Sequence, residues 1–354
     1  MRKPPRQESK NITNFAAMIL VTGGTGLVGS HLLWELLVQG EKNIRAIYRT
    51  QEKIDPVESL FKWKNEQSES AAADFYKIEW MQADVTDIPA LTEAFSGITN
   101  VYHCAALVSF SPKRFETLQK INVEGTANVV NLCLKNKIQK LCYVSSVAAL
   151  GDSPKAVTEE TQWEATKENS VYSISKFASE MEVWRGTQEG LDVVVVNPGV
   201  IFGEGFYKGG SGALFRTVQK GLKYSVPGAT GFVDVEDVVR AMVLLMHASV
   251  KNERFILVSH NLKFKIILDQ IAKALGVALP NKELKKWQLD LAWKLDWFAS
   301  LFGKRRKLTK STARSAYTES VYDNSKLKKE LGFEYRDIES TISRIAKHLT
   351  AYRF

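Results

Sequence analysis

In the stretch VYSISK, Val171 to Lys176, a tyrosine stands four residues before a lysine. On a helix that spacing carries Tyr172 and Lys176 onto one face, where a phenol and an ammonium can share a proton-handling site. The same spacing recurs in YDNSK, Tyr322 to Lys326, so spacing alone does not separate a catalytic pair from a coincidence. The surroundings of the two copies must do so.

A second chemistry-bearing stretch lies near the N-terminus. VTGGTGLVG follows an apolar run and opens a helical pattern. Gly24, Gly26 and Gly29 satisfy G-x-G-x-x-G, and Gly23, Gly26 and Gly29 satisfy G-x-x-G-x-x-G. Glycines there allow a tight turn and close backbone approach, and the helix start presents free N–H groups to a pyrophosphate. Gly23, Thr25, Gly26, Leu27, Val28 and Gly29 are therefore expected to hold a dinucleotide. The next strand should carry the reader of the adenine ribose: an acid for NAD, an arginine for the 2′-phosphate of NADP. It ends AIYRT, with Arg49 at that place and Lys53 near enough to assist, so NADP is expected and NAD is the alternative. At the end of the third strand, Asp84 and Val85 are placed to edge the adenine, unless Asp84 simply begins a turn.

The elements that must position these residues alternate. AMILVTG, NIRAIYR, FYKIEWMQADV, ITNVYHCAA, KLCYVSSVAA and LDVVVVNPG read as six strands. Helical patterns separate them, among them LVGSHLLWELLVQG, a helix capped by Asp87, a long one over RFETLQKINVEGTANVVNLCLKNK, and VYSISKFASEMEVWRGTQ. The fold class is α/β, a Rossmann-type doubly wound parallel sheet whose continuous apolar strands are covered on both faces. After Gly199 the pattern changes. IFGEGFYKGGSG reads as a mobile loop with no regular element, FVDVEDVVRAMVLLMHA as a strand entering a helix, and ERFILVS as a further strand. Beyond Lys263 the text is mostly helical and predicts a smaller, mainly helical C-terminal lobe. The expected division is a leader at 1–16, a nucleotide-binding domain at 17–200 plus 232–260, and a substrate lobe at 201–231 plus 261–354.

Charge narrows the partners. The net charge is +9, of which residues 1–10 supply +3 and residues 282–310 supply +6, leaving a neutral body. A nucleic-acid binder would spread that charge over its folded surface, so nucleic acid is not an expected partner. No run of 18 apolar residues is present, and the first residues lack the apolar core of a signal peptide. A disordered leader with Met18 as the natural start, and a cytoplasmic protein, are the expectations. Cys104, Cys133 and Cys142 show no metal spacing and read as reduced, buried thiols.

TGGTGLVG, HCAA, YVSS, YSISK and NPGVIFG occur in this order, and together they resemble the extended short-chain dehydrogenases/reductases over about residues 17–260. YDNSKLKKELGF is similar to that family's C-terminal lobe. The resemblance implies that Tyr172 is the acid/base and Lys176 its partner. The spacing then has a reason: a free phenol titrates near about 10, and a neighbouring ammonium favours the phenolate and lowers that value. It further implies that Ser146, with Ser145 as the fallback, offers its hydroxyl to the reacting carbonyl oxygen. Asn122, in INVEGT, organises the helix or a proton relay. Ala105 and Ala106 let the backbone pass close to the cofactor, and Pro198, Gly199 and Val200 line the nicotinamide carboxamide. His103 reads as a packing histidine.

Sugar-nucleotide epimerases and dehydratases of that family usually carry an arginine where this chain has Thr230 in ATGFVDVED, and NPGVIFG departs from their RPxNVYG. The expected activity is therefore NADP(H)-dependent interconversion of a ketone or aldehyde and an alcohol on a fairly apolar small molecule, as in dihydroflavonol reductases and 3β-hydroxysteroid dehydrogenases. Ser146, Val108, Phe206 and Lys208, with Arg216 beside them, are the substrate candidates. An NAD-dependent nucleotide-sugar epimerase or dehydratase is the alternative, and a cofactor-sensing binding protein a third reading. In KKWQLDLAWKLDWFASLFGKRRK, Trp287, Leu291, Leu295, Phe298 and Phe302 follow helical spacing, and Trp293, Trp297 and Leu301 widen the apolar face. That segment is a core helix, a substrate lid or a membrane-surface contact. By resemblance, the expected assembly is a homodimer.

Overall fold

The computed structural model describes residues 18–68, 72–151, 153, 155–166, 169–301 and 309–351, with backbone alone at 298–301. The expected leader at 1–16, the side chains of Phe298 and Leu301, and Phe302 with the basic run after it lie outside the described residues.

In chain order the strands are β1 (Ile19–Thr22), β2 (Ile44–Tyr48), β3 (Ile78–Gln82), β4 (Asn100–His103), β5 (Lys140–Val144), β6 (Val193–Pro198), β7 (Val200–Phe202), β8 (Tyr224–Ser225), β9 (Ala229–Asp234), β10 (Glu253–Leu257), β11 (His260–Lys263) and β12 (Lys282–Glu283). The helices are α1 (Leu27–Val38), α2 (Asp55–Gln67), α3 (Ile88–Ala94), α4 (Phe115–Leu118), α5 (Gly125–Lys135), α6 (Val171–Gln188), α7 (Gly212–Gln219), α8 (Val235–His247), α9 (Phe264–Ala274), α10 (Lys286–Leu301), α11 (Lys310–Ser315), α12 (Ser325–Leu331) and α13 (Ile338–Ala351). A π segment, Gln119–Glu124, joins α4 to α5, so the long helix read from the sequence is continuous but widened in the middle.

Seven strands form one parallel sheet in the order β10-β6-β5-β4-β1-β2-β3. Strand order reverses between β1 and β4, and in open α/β sheets that switch point is where ligands bind. β6 is buried along its whole length, as its run of four valines requires when helices cover both faces. Leu32, Leu33 and Leu36 of α1 pack with Val239 and Met242 of α8 on one face. Leu91 of α3, Val129 and Val130 of α5 and Val183 of α6 fill the other. A separate core unites Phe202, Phe215 and Phe232 with Ile267 and Ile271 of α9 and Ile342 and Ile345 of α13.

Lys140, at the start of β5, is buried and donates to the carbonyls of Leu245, Ala248 and Val250 at 2.7, 2.8 and 2.6 Å. The ammonium thus satisfies acceptors at the end of α8, where the helix dipole favours a cation.

Several expectations need correction. FYKIEW does not begin as strand: Phe75–Lys77 is a 3-10 turn started by Asp74, and β3 begins at Ile78. Ile201 and Phe202, read as part of a structureless glycine-rich segment, lie in β7, which pairs with β9 in a three-stranded sheet β11-β9-β7. Pairing of Val200 with Phe232, 32 positions away, overrides the local glycine signal. The loop that follows is tied down rather than free. Glu204 is buried, and the Tyr207 hydroxyl meets the Ile345 carbonyl at 3.2 Å and His348 Nδ1 at 3.0 Å. On α10, Leu289 is buried, whereas Trp287, Leu291 and Leu295 are 61, 48 and 59% exposed, so the residues read as its apolar face do not make it a core helix.

Candidate active site

The glycines explain one another. Gly23 has φ +69°, a conformation that side chains other than glycine rarely adopt, and a Cβ there would stand 2.6 Å from the Ala105 nitrogen. Gly23 accepts from the Gly26 amide at 2.9 Å, and a Cβ on Gly29 would fall 2.2 Å from the Gly23 oxygen. The backbone therefore requires glycine at Gly23 and Gly29, whereas a Cβ at Gly26 or Gly24 would meet its nearest neighbour at 3.3 or 3.1 Å. No side chain caps the start of α1. Its first-turn amides, including those of Leu27 and Val28, are left for a phosphate, and the cradle fits a dinucleotide's pyrophosphate.

A cleft of about 210 Å³ opens at the switch point. Its walls bring together Gly23, Thr25 and Gly26 from the loop, Arg49 and Lys53 beyond β2, Asp84 and Val85 beyond β3, and Ala105 and Ala106 beyond β4. Arg49 is mostly exposed, with Nε 3.9 Å from Asp84 Oδ2. Asp84 also performs the turn role, accepting from the Thr86 amide at 2.9 Å and hydroxyl at 2.8 Å. Ile47, Tyr48, Cys104, Leu107 and Ile121 also line the cleft and were not anticipated. Cys104 is only partly buried, which corrects its reading as an interior thiol, although burial holds its thiol up at about 12. A more open surface depression of about 560 Å³, between Ser259 and Tyr335, shares no residue with this cleft.

Tyr172 and Lys176 stand in the first two turns of α6, which Ser170 caps through the Ser173 amide. The Tyr172 ring meets Phe110 edge-on, with centroids 5.3 Å apart. Burial pushes its phenol up to about 12, opposed by the influence of the Ser146 hydroxyl. Lys176 is buried and donates to the Tyr143 hydroxyl at 2.7 Å and the Val144 carbonyl at 3.0 Å. Burial lowers this ammonium to about 7, with Glu180 acting to raise it. The expectation that Lys176 depresses the Tyr172 phenol is thus corrected for this geometry. The ammonium is turned toward β5, and burial dominates the phenol. Ser145 is engaged elsewhere, donating to Glu180 Oε2 at 2.5 Å, so Ser146 is the serine beside Tyr172. In the other copy, Lys326 donates to Glu253 at 2.6 Å and to the Arg254 carbonyl at 3.0 Å, and Asp323 accepts from the Ser325 amide at the start of α12. That pair is structural.

A model of the NAD dependent epimerase/dehydratase family matches residues 19–257, which carry the cleft and both members of the α6 pair. The chain belongs to this family. It is an extended short-chain dehydrogenase/reductase, an NAD(P)-dependent oxidoreductase acting on small molecules. A putative dihydroflavonol 4-reductase of Synechocystis sp. is 27% identical over 337 residues, covering 93% of each chain. The sterol demethylase protein B of Methylococcus capsulatus is 29% identical, covering 74% of this chain and 76% of its own. The crystal structure of gox2253 superposes with a TM-score of 0.76 at 26% identity, covering 94% of this chain and 98% of that one.

Other positions in this dehydrogenase/reductase have defined places. Asn122 is buried in the π segment, where its side chain accepts from the Leu107 amide at 2.7 Å and donates to the Leu107 carbonyl at 3.0 Å and Ser175 at 3.1 Å. It thereby ties the loop after β4 to α6. His103 lies between the hydroxyls of Thr22 and Thr126 at 2.6 and 3.0 Å, and burial holds it neutral at about 3, which makes it a packing histidine. Pro198 ends β6, and the Gly199 amide donates to the Leu257 carbonyl at 3.0 Å. Pro198, Gly199 and Val200 do not line the 210 Å³ cleft. Val108 and Phe110 are 57 and 42% exposed on the loop after β4. Phe206 is half-buried, and Lys208 is exposed, beside the anchored Tyr207. Phe110 escaped the sequence reading because a single aromatic after HCAALVS has no periodic signal. Glu180 had one, since it continues the four-residue ladder of Tyr172 and Lys176 by one more turn.

Proposed function

We propose that this oxidoreductase uses NADP(H) to interconvert a ketone or aldehyde and an alcohol on a fairly apolar substrate. The observation that carries the reading is the Tyr172 phenol, one helical turn from the buried Lys176 on α6 and near enough to the Ser146 hydroxyl to feel it. When bound, the dinucleotide supplies the hydride. Gly23, Gly26, Gly29 and the first-turn amides of α1 would hold its phosphates, Arg49 and Lys53 the 2′-phosphate, Asp84 and Val85 the adenine, and Ala105, Ala106, Pro198, Gly199 and Val200 the nicotinamide side. Ser146 orients the substrate oxygen. Tyr172, protonated at neutral pH because burial raises its phenol, donates the proton that this oxygen takes up in the reductive direction. Lys176, its ammonium turned toward β5, would meet the nicotinamide ribose hydroxyls of the bound cofactor. The exposed apolar side chain of Phe110 against Tyr172, with exposed Val108 two residues before it in the chain, favours an apolar substrate. The names of the relatives, a putative dihydroflavonol 4-reductase and a sterol demethylase protein B, point the same way.

The direct test is NADPH oxidation against a panel of ketones and aldehydes of graded size. Turnover of a nucleotide sugar with no net NADPH consumption, and none of the apolar ketones, would replace this reading with an epimerase. Cofactor choice has its own test. Arg49→Glu is expected to weaken NADPH binding at least about tenfold while sparing NADH, the scale of one lost hydrogen bond to a charged group. Titration of the reduced cofactors by fluorescence reads both constants, and a wild type that prefers NADH would remove the role given to Arg49.

A further inference from the structure

Behind the Tyr172–Lys176 pair lies a buried acid that the reaction outlined above does not use. Glu180 is fully buried and accepts four hydrogen bonds. On Oε2 these come from the Ser145 hydroxyl at 2.5 Å and the Asn197 amide at 2.8 Å. On Oε1 they come from Trp184 Nε1 at 3.2 Å and Arg254 at 3.1 Å. Asn197 Nδ2 also donates to the Ser146 carbonyl at 3.1 Å, so a single amide bridges the Glu180 carboxylate to the backbone of the serine beside Tyr172. Isolated buried carboxylates are costly, and here four donors, one of them the Arg254 guanidinium, offset that cost. One turn back along the same face stands Lys176, whose ammonium has, among the described residues, the neutral Tyr143 hydroxyl and the Val144 carbonyl as its hydrogen-bond acceptors. A buried cation with two neutral partners needs a counter-charge, and Glu180 raises its proton affinity.

We propose that Glu180 is a positioning residue for the catalytic pair: its carboxylate is the buried counter-charge one helical turn from Lys176 and, through Ser145 and Asn197, fixes the end of β5 that presents Ser146. The inference rests on the Tyr172–Lys176 reading for its importance in turnover, but the geometry and its test do not. The charged and titratable groups facing Lys176 and Glu180 are Tyr143 on β5, His103 and Cys104 at the end of β4, Arg254 on β10, and Tyr172 on α6 itself. Of these only Arg254 carries a formal charge opposing Glu180, and it is partly exposed.

That arrangement gives paired substitutions with opposite signs. Removing the carboxylate charge lowers the proton affinity of Lys176, whereas removing the Arg254 charge unmasks the carboxylate and raises it. The experiment is a pH titration of the lysine 13Cε resonances of the full chain, with Lys176 assigned by its absence in Lys176→Met. Glu180→Gln is expected to move the Lys176 midpoint down by about one pH unit and Arg254→Met to move it up, about one unit being a tenfold change in proton affinity. Glu180→Asp, which keeps the charge, should restore most of the wild-type value and serves if Glu180→Gln does not fold. Midpoints unmoved in Glu180→Gln and Arg254→Met, or moved in one direction by both, overturn the proposal. Turnover of Tyr172→Phe is read separately. Full activity there ends the catalytic reading while leaving the Lys176 titration to stand or fall on its own.

Discussion

Tyr172→Phe is expected to lower the turnover of NADPH-dependent carbonyl reduction by about 10²–10⁴-fold, the size of a lost general acid. The substitution removes one oxygen and leaves the ring where it meets Phe110, so packing changes little. Binding of NADPH should stay within about threefold of wild type, because the interaction lost is made in the transition state rather than with the cofactor. Steady-state kinetics with the best ketone from the substrate panel, together with a fluorescence titration of NADPH, separates the two. A variant that retains full turnover would remove Tyr172 from the mechanism. One that loses turnover only through lost cofactor binding would make it a structural residue. The pH profile adds a check. The phenol is held up at about 12, so the reductive rate should show no loss from Tyr172 deprotonation through neutral pH, and any alkaline fall nearer 7 should be traceable to Lys176.

The second large effect is on stability. Arg344, on α13, makes an ion pair with Asp234 at 2.8 Å, Glu236 at 2.7 Å and Glu204 at 3.3 Å. Glu204 also faces His31 of α1 at 3.7 Å and Lys64 of α2 at 3.9 Å, while Lys64 and Arg336 pair with Glu236 at 2.7 and 2.6 Å. Arg344→Met leaves buried carboxylates short of a cation and should cost about 3–5 kcal/mol at neutral pH. Chemical denaturation measures it. Burial alone would raise the Glu236 carboxyl, but Arg344, Lys64 and Arg336 bring it down to about 2, and Glu204 is likewise held well below the usual carboxylate range. A depressed folded value means stability that is present above about pH 4.5 and lost as pH falls toward 2. The deficit of Arg344→Met should therefore be full at pH 7 and shrink between about pH 4.5 and 2. A deficit independent of pH would mean that Arg344 acts through packing of its stem alone.

The parallel sheet, the glycine loop that opens α1 and the helix that carries Tyr172 and Lys176 were legible in the sequence because each is written in local text. Strand and helix periods, the glycine spacing and the order of YVSS before YSISK all lie within short windows. What escaped is long-range. Arg344 finds Asp234 across 110 positions, and Arg254 finds Glu180 across 74. β7 forms only because β9 is present to pair with it. The direction of the Lys176 ammonium was also illegible, since it depends on a tyrosine hydroxyl 33 residues upstream that reads in sequence as one more apolar strand residue. The aromatic spacing of α10 was read correctly as a stripe. Which side of that stripe faces inward is decided by its neighbours, and they bury Leu289 instead.

The widened turn at Gln119–Glu124 makes the helix between β4 and β5 a ruler of fixed length. Upstream of it Leu118 is fully buried, within it Asn122 clasps Leu107 and Ser175, and just beyond it Gly125 lies so close to Val85 that a Cβ would approach to 2.6 Å. An α-helix carrying one residue fewer would connect the same ends with better hydrogen bonds, yet it would rotate Leu118 by about 100° relative to Asn122 and withdraw one of them from its place. Single-residue deletions here should therefore be tolerated far less than substitutions at the exposed Lys120 and Glu124, and in homologous chains a gap in this helix would signal a different path for the loop that leads to Phe110.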